Sequence, residues 1–241
     1  MKELIKKLTL FLIIMFMGIS LSCGSSGGGD SDIKDGNSTV EDGDSDPEDE
    51  PPLGSTEWEG VVICQIYPGG GNSGALFNRK YIVLHNHGDI EVNLSGWSIQ
   101  YASASATGNP IWQVGVLPDF HRILAGGYYL VGLGSSGING SQLPTLDSNI
   151  SLNPAGSNGK IALVKSTVAL NGSALSDSNL VDFVGYGTAL EYFGNGPAPA
   201  TNSTTALFRS CSGCCNNKDN SVDFSLGTPN PLNSFSPPHG Y

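Results

Sequence analysis

Basic residues are scarce: 11 Lys and Arg stand against 22 Asp and Glu in 241 residues, for a formal net charge of −11. Nowhere are Lys and Arg gathered into the cluster that neutralises nucleic-acid phosphates, so nucleic acid is not an expected partner. Apolar runs are as limited. After Met17 none is long enough to cross a bilayer. A sustained 3.6-residue apolar periodicity is missing too, which excludes a helical bundle. No nucleophile elbow is present. GSSGG at Gly24 to Gly28 has the G-x-S-x-G spacing, but that motif needs a strand before it and a helix after it, and these residues lie in a Gly/Ser linker.

What the chain does have begins at its start. Lys2, Lys6 and Lys7 precede an apolar run from Leu8 to about Met17, the charge and length pattern of a secretory signal. The run ends in Leu21-Ser22-Cys23-Gly24, which resembles a lipobox, the cleavage and acylation motif of bacterial lipoproteins. The resemblance implies a signal peptide over residues 1–22, cleavage before Cys23, and a diacyl or triacyl (palmitate-type) anchor on that thiol. More than one acyl chain is needed for stable anchoring, because each buried methylene contributes only about 0.8 kcal/mol. The implied partner is the lipid bilayer, reached through Cys23, and the implied location is the cell envelope. Gly24 rather than Asp after the cysteine resembles sorting to the outer membrane or cell surface rather than the inner membrane.

Residues 24–59 hold 12 carboxylates against Lys34 alone, whereas residues 60–241 hold 9 against 7 basic residues. The acidic stretch is Gly, Ser, Asp, Glu and Pro with almost no large apolar side chain. It cannot bury enough surface to offset the entropy of ordering, and it reads as a disordered tether behind the lipidated cysteine, residues 23–59 together. A coil of 36 residues spans on the order of 30 Å.

From Val61 the texture becomes short apolar stretches broken by Gly, Asn, Ser and Pro, an all-β pattern. Val61–Tyr67, Tyr81–Asn86, Ile90–Leu94, Trp97–Ala102, Ile111–Val116, Tyr128–Leu133, Lys160–Lys165, Leu180–Tyr186 and Thr205–Arg209 read as strands. Strict alternation in the first puts Val62, Cys64 and Ile66 on one face, and in the fourth it puts Trp97, Ile99 and Tyr101 together. Trp97, Leu94 and Ile99 are the expected core of the turn-and-strand unit. One sandwich over residues 60–235, with a flexible tail over 236–241, accommodates these strands.

VVICQIYPGGGNSG, YIVLHNHGDIEVNLSGWSIQYASA, GKIALV, LVDFVGYG, TTALFR and NKDNSVDFSLGTPNPLNS, in that order, resemble bacterial lamin tail domains from about Val61 to Ser234. The resemblance implies an immunoglobulin-like β-sandwich. Domains of this type often accompany exported nucleases or phosphoesterases, which implies a noncatalytic binding or scaffolding role. The family usually has a glutamate in the second strand where this chain has Val83, so a contact made through that carboxylate does not carry over.

Residues able to carry chemistry are few. His85 and His87, at i and i+2, can share a strand face as two metal ligands would, but no third ligand with recognisable spacing accompanies them. A structural role is the expectation, and an exported hydrolase or metal enzyme using these histidines is the alternative. His121 and His239 are isolated in sequence. In an exported chain Cys64, Cys211, Cys214 and Cys215 suggest two disulfides with three pairings open. The expected arrangement links a late cysteine to Cys64 and closes a small loop from Cys211, the alternative for Cys64 being a buried free thiol. CSGC has redox spacing but lies in a Gly/Ser/Asn loop, and it reads as structural. Asn216 to Asp223, with Asp219 and Asp223, is dense in the oxygens that calcium takes, yet it lacks EF-hand spacing. Asx turns explain the composition without an ion, and no cofactor is expected.

Overall fold

The computed structural model describes residues 60–213 and 216–239, and of Ser212 and Gly213 the backbone only. The signal peptide, Cys23, the acidic stretch, Trp58, Cys214 and Cys215 lie outside the described residues. Twelve strands are named in chain order: β1 Val61–Tyr67, β2 Lys80–Asn86, β3 Val92–Asn93, β4 Ser98–Ala102, β5 Gln113–Val116, β6 Arg122–Ile123, β7 Tyr128–Leu133, β8 Ser148–Ile150, β9 Gly159–Val164, β10 Leu180–Tyr186, β11 Ala206–Arg209 and β12 Phe224–Gly227. A 3-10 turn covers Ala174–Ser176, and two single-turn helices, α1 Ser210–Gly213 and α2 Asn220–Asp223, precede β12. The strands form a six-stranded sheet in the order β12-β11-β1-β2-β7-β8, a four-stranded sheet β10-β9-β4-β5, and the short pair β3-β6. Pairing is antiparallel throughout except between β7 and β8.

The two larger sheets bury a common layer that includes Ile63, Ile66, Leu84, Leu94, Trp97, Ile99 and Val184. Trp97, Ile99 and Tyr101 all belong to it, as period-two alternation requires. Each sheet is also covered on its outer face. Tyr67, Tyr81, Val83, Tyr128 and Leu130 pack under loop residues outside the six-stranded sheet, and Trp112, Ala162, Val164 and Phe183 do so outside the four-stranded one. That is why β2, β7 and β9 are buried along almost their whole length instead of alternating between core and solvent.

One expected register does not hold. The pairing of β1 with β2 shifts between Ile63 and Gln65, a bulge that inserts Cys64. Ile63 and Ile66 therefore both face the inter-sheet core, while Cys64 packs outward with Tyr67 and Tyr81. Val62, Cys64 and Ile66 do not form one face. Residue Gln65 stays on the outer side as well, where its amide bonds the Tyr81 hydroxyl, donates to Asn230 O at 2.8 Å and accepts from Asn230 N at 3.0 Å, pinning the C-terminal segment to the sheet. The tail is held further along too: His239 N donates to Gly126 O at 2.9 Å, so the order expected to stop at 235 continues to that residue.

Candidate functional site

β11 ends at Arg209, so beyond it β1 has no ladder neighbour on that side. Side chains take over. Ile63 N donates to Asp182 Oδ2 at 2.8 Å, and Ile63 O accepts from Arg209 Nε at 2.9 Å. The guanidinium also meets Asp182 Oδ2 at 2.6 Å and Asp223 Oδ2 at 3.2 Å, and it lies 4.5 Å from the Phe224 ring centroid. All three charged side chains have zero exposure. β10 delivers Asp182 inward through a bulge between Leu180 and Asp182, and α2 delivers Asp223. The cluster therefore joins both sheets and the late helical turn. With all three side chains buried, the cluster locks these elements together.

The oxygen-rich segment 216–223 folds around the same point. Asp223 Oδ1 accepts from Asn217 N at 2.9 Å and Asn217 Nδ2 at 2.7 Å. The Asp219 carboxylate caps α2, taking Ser221 N at 3.0 Å and Ser221 Oγ at 2.6 Å on Oδ1, with Asn195 N at 3.1 Å and Asn195 Nδ2 at 2.6 Å on Oδ2. The Ser221 hydroxyl foremost, then the Asn195 donors, hold its carboxyl below the ordinary value. Gly194 beside it has φ 74°, and a Cβ there would lie 2.4 Å from Asp219 Cγ. Asp219 and Asp223 thus face N–H and O–H donors, whose hydrogens occupy the directions a calcium ion would need.

The histidines converge more than their spacing suggests. His85, 1 % exposed, stacks on Tyr128 with ring centroids 4.6 Å apart and has Nε2 3.3 Å from Gly126 O. His87 lies 6.5 Å from it, ring to ring, and His239 packs edge-on at 6.3 Å. His239, remote in sequence, is therefore part of this cluster, brought in by the bond from its N–H to Gly126. The half-buried His87 has Nε2 sealed from solvent without a hydrogen-bond partner. Burial, assisted by the Arg209 charge, holds its imidazole below the ordinary value. His121 instead bonds the Tyr129 hydroxyl, whose pKa burial pushes up to about 12. Among the described residues no group of three or more His, Cys, Asp or Glu is placed to hold a metal ion.

Cys64 is a buried thiol outside any disulfide. The expected link from a late cysteine to Cys64 is therefore overturned, because the bulge turns this side chain into the outer apolar layer with Tyr67 and Tyr81. Lys160, which the sequence reading passed over as part of a strand, is also fully buried. Its ammonium donates to Ala106 O at 2.7 Å and Glu191 Oε2 at 3.0 Å and lies 5.4 Å from the Trp112 ring centroid, clamping two loops onto the four-stranded sheet.

Open space is found elsewhere. A cleft of about 730 Å³ runs between the β4–β5 loop and residues 153–155, lined by Lys80, Tyr101, Asn109, Ile111, Gln113 and Asn153 among others, with no carboxylate. Burial lowers the Lys80 pKa there, and its Nζ donates to Pro154 O at 2.5 Å. A second cleft of about 510 Å³ holds Gly60, Asp89, Glu91, Trp97 and Lys165.

Residues 55–188, more than half of the chain, match the model of the Lamin Tail Domain family. No curated protein matches the chain. The matched span ends just after β10, whereas β11 and β12 complete the six-stranded sheet beside β1.

Proposed function

We propose that this chain, which belongs to the lamin tail domain family, works as a noncatalytic binding or scaffolding module held at a membrane by an acylated Cys23. One observation carries the noncatalytic part: Arg209, Asp182 and Asp223 are sealed in one buried ion cluster. Its surface offers clefts and apolar tips instead. The acidic residues 24–59 serve as a spacer, and the outer membrane or cell surface is the favoured location. An exported hydrolase acting in trans is the favoured partner. With Cys64 occupied in the apolar layer, the disulfide of this module is a short loop among Cys211, Cys214 and Cys215.

Cys23→Ser tests the anchor. The variant is expected in the soluble fraction or stalled unprocessed, and normal processing with unchanged membrane association would remove Cys23 as the anchor. The alternative, a metal-dependent hydrolase, draws on the unpartnered His87 Nε2 beside His85 and His239. Stoichiometric zinc or manganese in the purified protein, lost in a His85→Ala, His87→Ala double variant, would favour it over the binding module.

A further inference from the structure

Antiparallel pairing puts the start of β1 beside the end of β2 and the start of β7, and the starts of β4 and β10 beside the ends of β5 and β9; one cleft lined by Gly60, Trp97 and Lys165 brings these ends of the two sheets together. Asn86 ties that end together. Its Oδ1 accepts from Gly88 N at 3.0 Å and lies where a Cβ on Gly60 would intrude, at 2.3 Å. Its Nδ2 donates to Ile90 O at 2.7 Å and Leu124 O at 3.2 Å, so these two residues lie side by side next to Gly60. The two residues are 70 % and 64 % exposed.

Phe120, in the loop that follows β5, is 83 % exposed. Its φ is 64°, a left-handed conformation that a bulky L-residue adopts only under constraint. Two bonds impose it: Phe120 N donates to Ser95 Oγ at 2.8 Å, and the next residue's carbonyl, His121 O, accepts from Leu94 N at 2.9 Å. Nothing in the core benefits, since the ring points away from it. A strained backbone maintained in order to display an aromatic ring is the kind of outlier that points to function. Charges of both signs flank the three apolar side chains, with Arg122 bonded to Glu91 at 2.6 Å and Asp89, Asp119 and Lys165 nearby in sequence or in the adjoining cleft.

We propose that this end is a membrane-contact face, with Ile90, Phe120 and Leu124 entering the headgroup layer of a zwitterionic bilayer. It rests on the reading that Cys23 anchors the chain. The occupant is lipid because the 36 residues between Cys23 and Gly60 join the sandwich at this end, beside Ile90 and Leu124. A tether of such length keeps the face at an effective concentration in the millimolar range, at which contacts too weak to bind free protein become occupied. Nearly balanced local charge removes the need for anionic lipid. Exposed Ile111 and Ile138 lie on loops at the other end and provide the control.

The acylated full chain is reconstituted in phosphatidylcholine vesicles with plain or brominated acyl chains, as the parent, Phe120→Trp and Ile138→Trp. Flotation with the vesicles reads the anchor, and the emission added over the parent's three tryptophans reads the contact. Expected are a blue shift and loss of most of the added emission for Phe120→Trp in brominated lipid, with Ile138→Trp unaffected. Chains that float but show no quenching, or equal quenching at both positions, would overturn the contact face and leave the anchor intact. Failure to float would overturn the anchor and the face with it. Phe120→Trp emission untouched by lipid but shifted by envelope extract would give the face to a protein partner, which also overturns the proposal.

Discussion

Replacing Arg209 by Met keeps most of the side-chain volume and removes the charge from a site with zero exposure on all three partners. Asp182 and Asp223 would remain as two buried carboxylates, with backbone and amide donors but without a cation. Ile63 O would lose the Arg209 Nε donor and gain nothing. An orphaned buried acceptor costs about 1–3 kcal/mol, and breaking a buried ion pair by removing one partner costs about 3–5 kcal/mol. The two overlap, so Arg209→Met should lose about 3–5 kcal/mol from a domain stability of typically about 5–15 kcal/mol. Geometry ranks the other two members. Asp182 Oδ2 takes both the Ile63 N–H and the closer guanidinium contact, 2.6 Å against 3.2 Å for Asp223, so Asp182→Asn should cost more than Asp223→Asn. The double variant Arg209→Met/Asp182→Leu leaves only one unpaired carboxylate and should lose less than the sum of its single changes. Urea titrations followed by the fluorescence of buried Trp97 and Trp112 measure all of these. An Arg209→Met loss under about 1 kcal/mol, below the range for a broken buried pair, would refute the reasoning. So would Asp223→Asn proving the costlier of the two asparagine changes.

Trp97, 7 % exposed and in the inter-sheet layer, should cost about 3–5 kcal/mol as Trp97→Ala, with Trp58→Ala far milder; equal small shifts in two thermal melts would contradict its place in the core. Burial holds His87 below 6.5, so between its folded value and 6.5 the unfolded chain binds more protons, and stability is full above 6.5 and lost as pH falls through that window. His87→Gln should therefore reduce the drop in urea midpoint between about pH 7.5 and about pH 5.5, and an unchanged drop would show that His87 is not its source. Limited proteolysis should release a compact fragment starting near Trp58 to Val61, an expectation that protection of Asp35 to Pro52 would defeat.

The longer strands were legible because alternation, aromatic content and turn residues all agree along β1, β2, β4, β7, β9 and β10. Three pieces were not. β6, β8 and β12 have two to four residues each and owe their extended form to partners far away in sequence, so no local pattern announces them. The β1 bulge was hidden for a related reason: VVICQIY alternates plausibly in either register, and only Val83 and Leu84 across the ladder decide which faces of Cys64 and Ile66 are buried. His239 reaches His85 from 154 positions away along a tail whose composition suggests only disorder. The ion cluster differs from these. Asp182 stands alone among apolar residues in LVDFVGY, and Arg209 closes TALFR, so each places a charge in a strand with no local counter-ion. A charge that must be buried has to find a partner or titrate away. One acidic and one basic residue stranded in this manner, in strands that end up in facing sheets, are candidates for each other from the sequence alone. Lys160 in GKIALV carries the same signal, answered by Glu191. The dense carboxylates of residues 24–59 draw attention first, yet these few isolated charges are the ones that tie β1 to β10 and β11 and pin two loops to the four-stranded sheet.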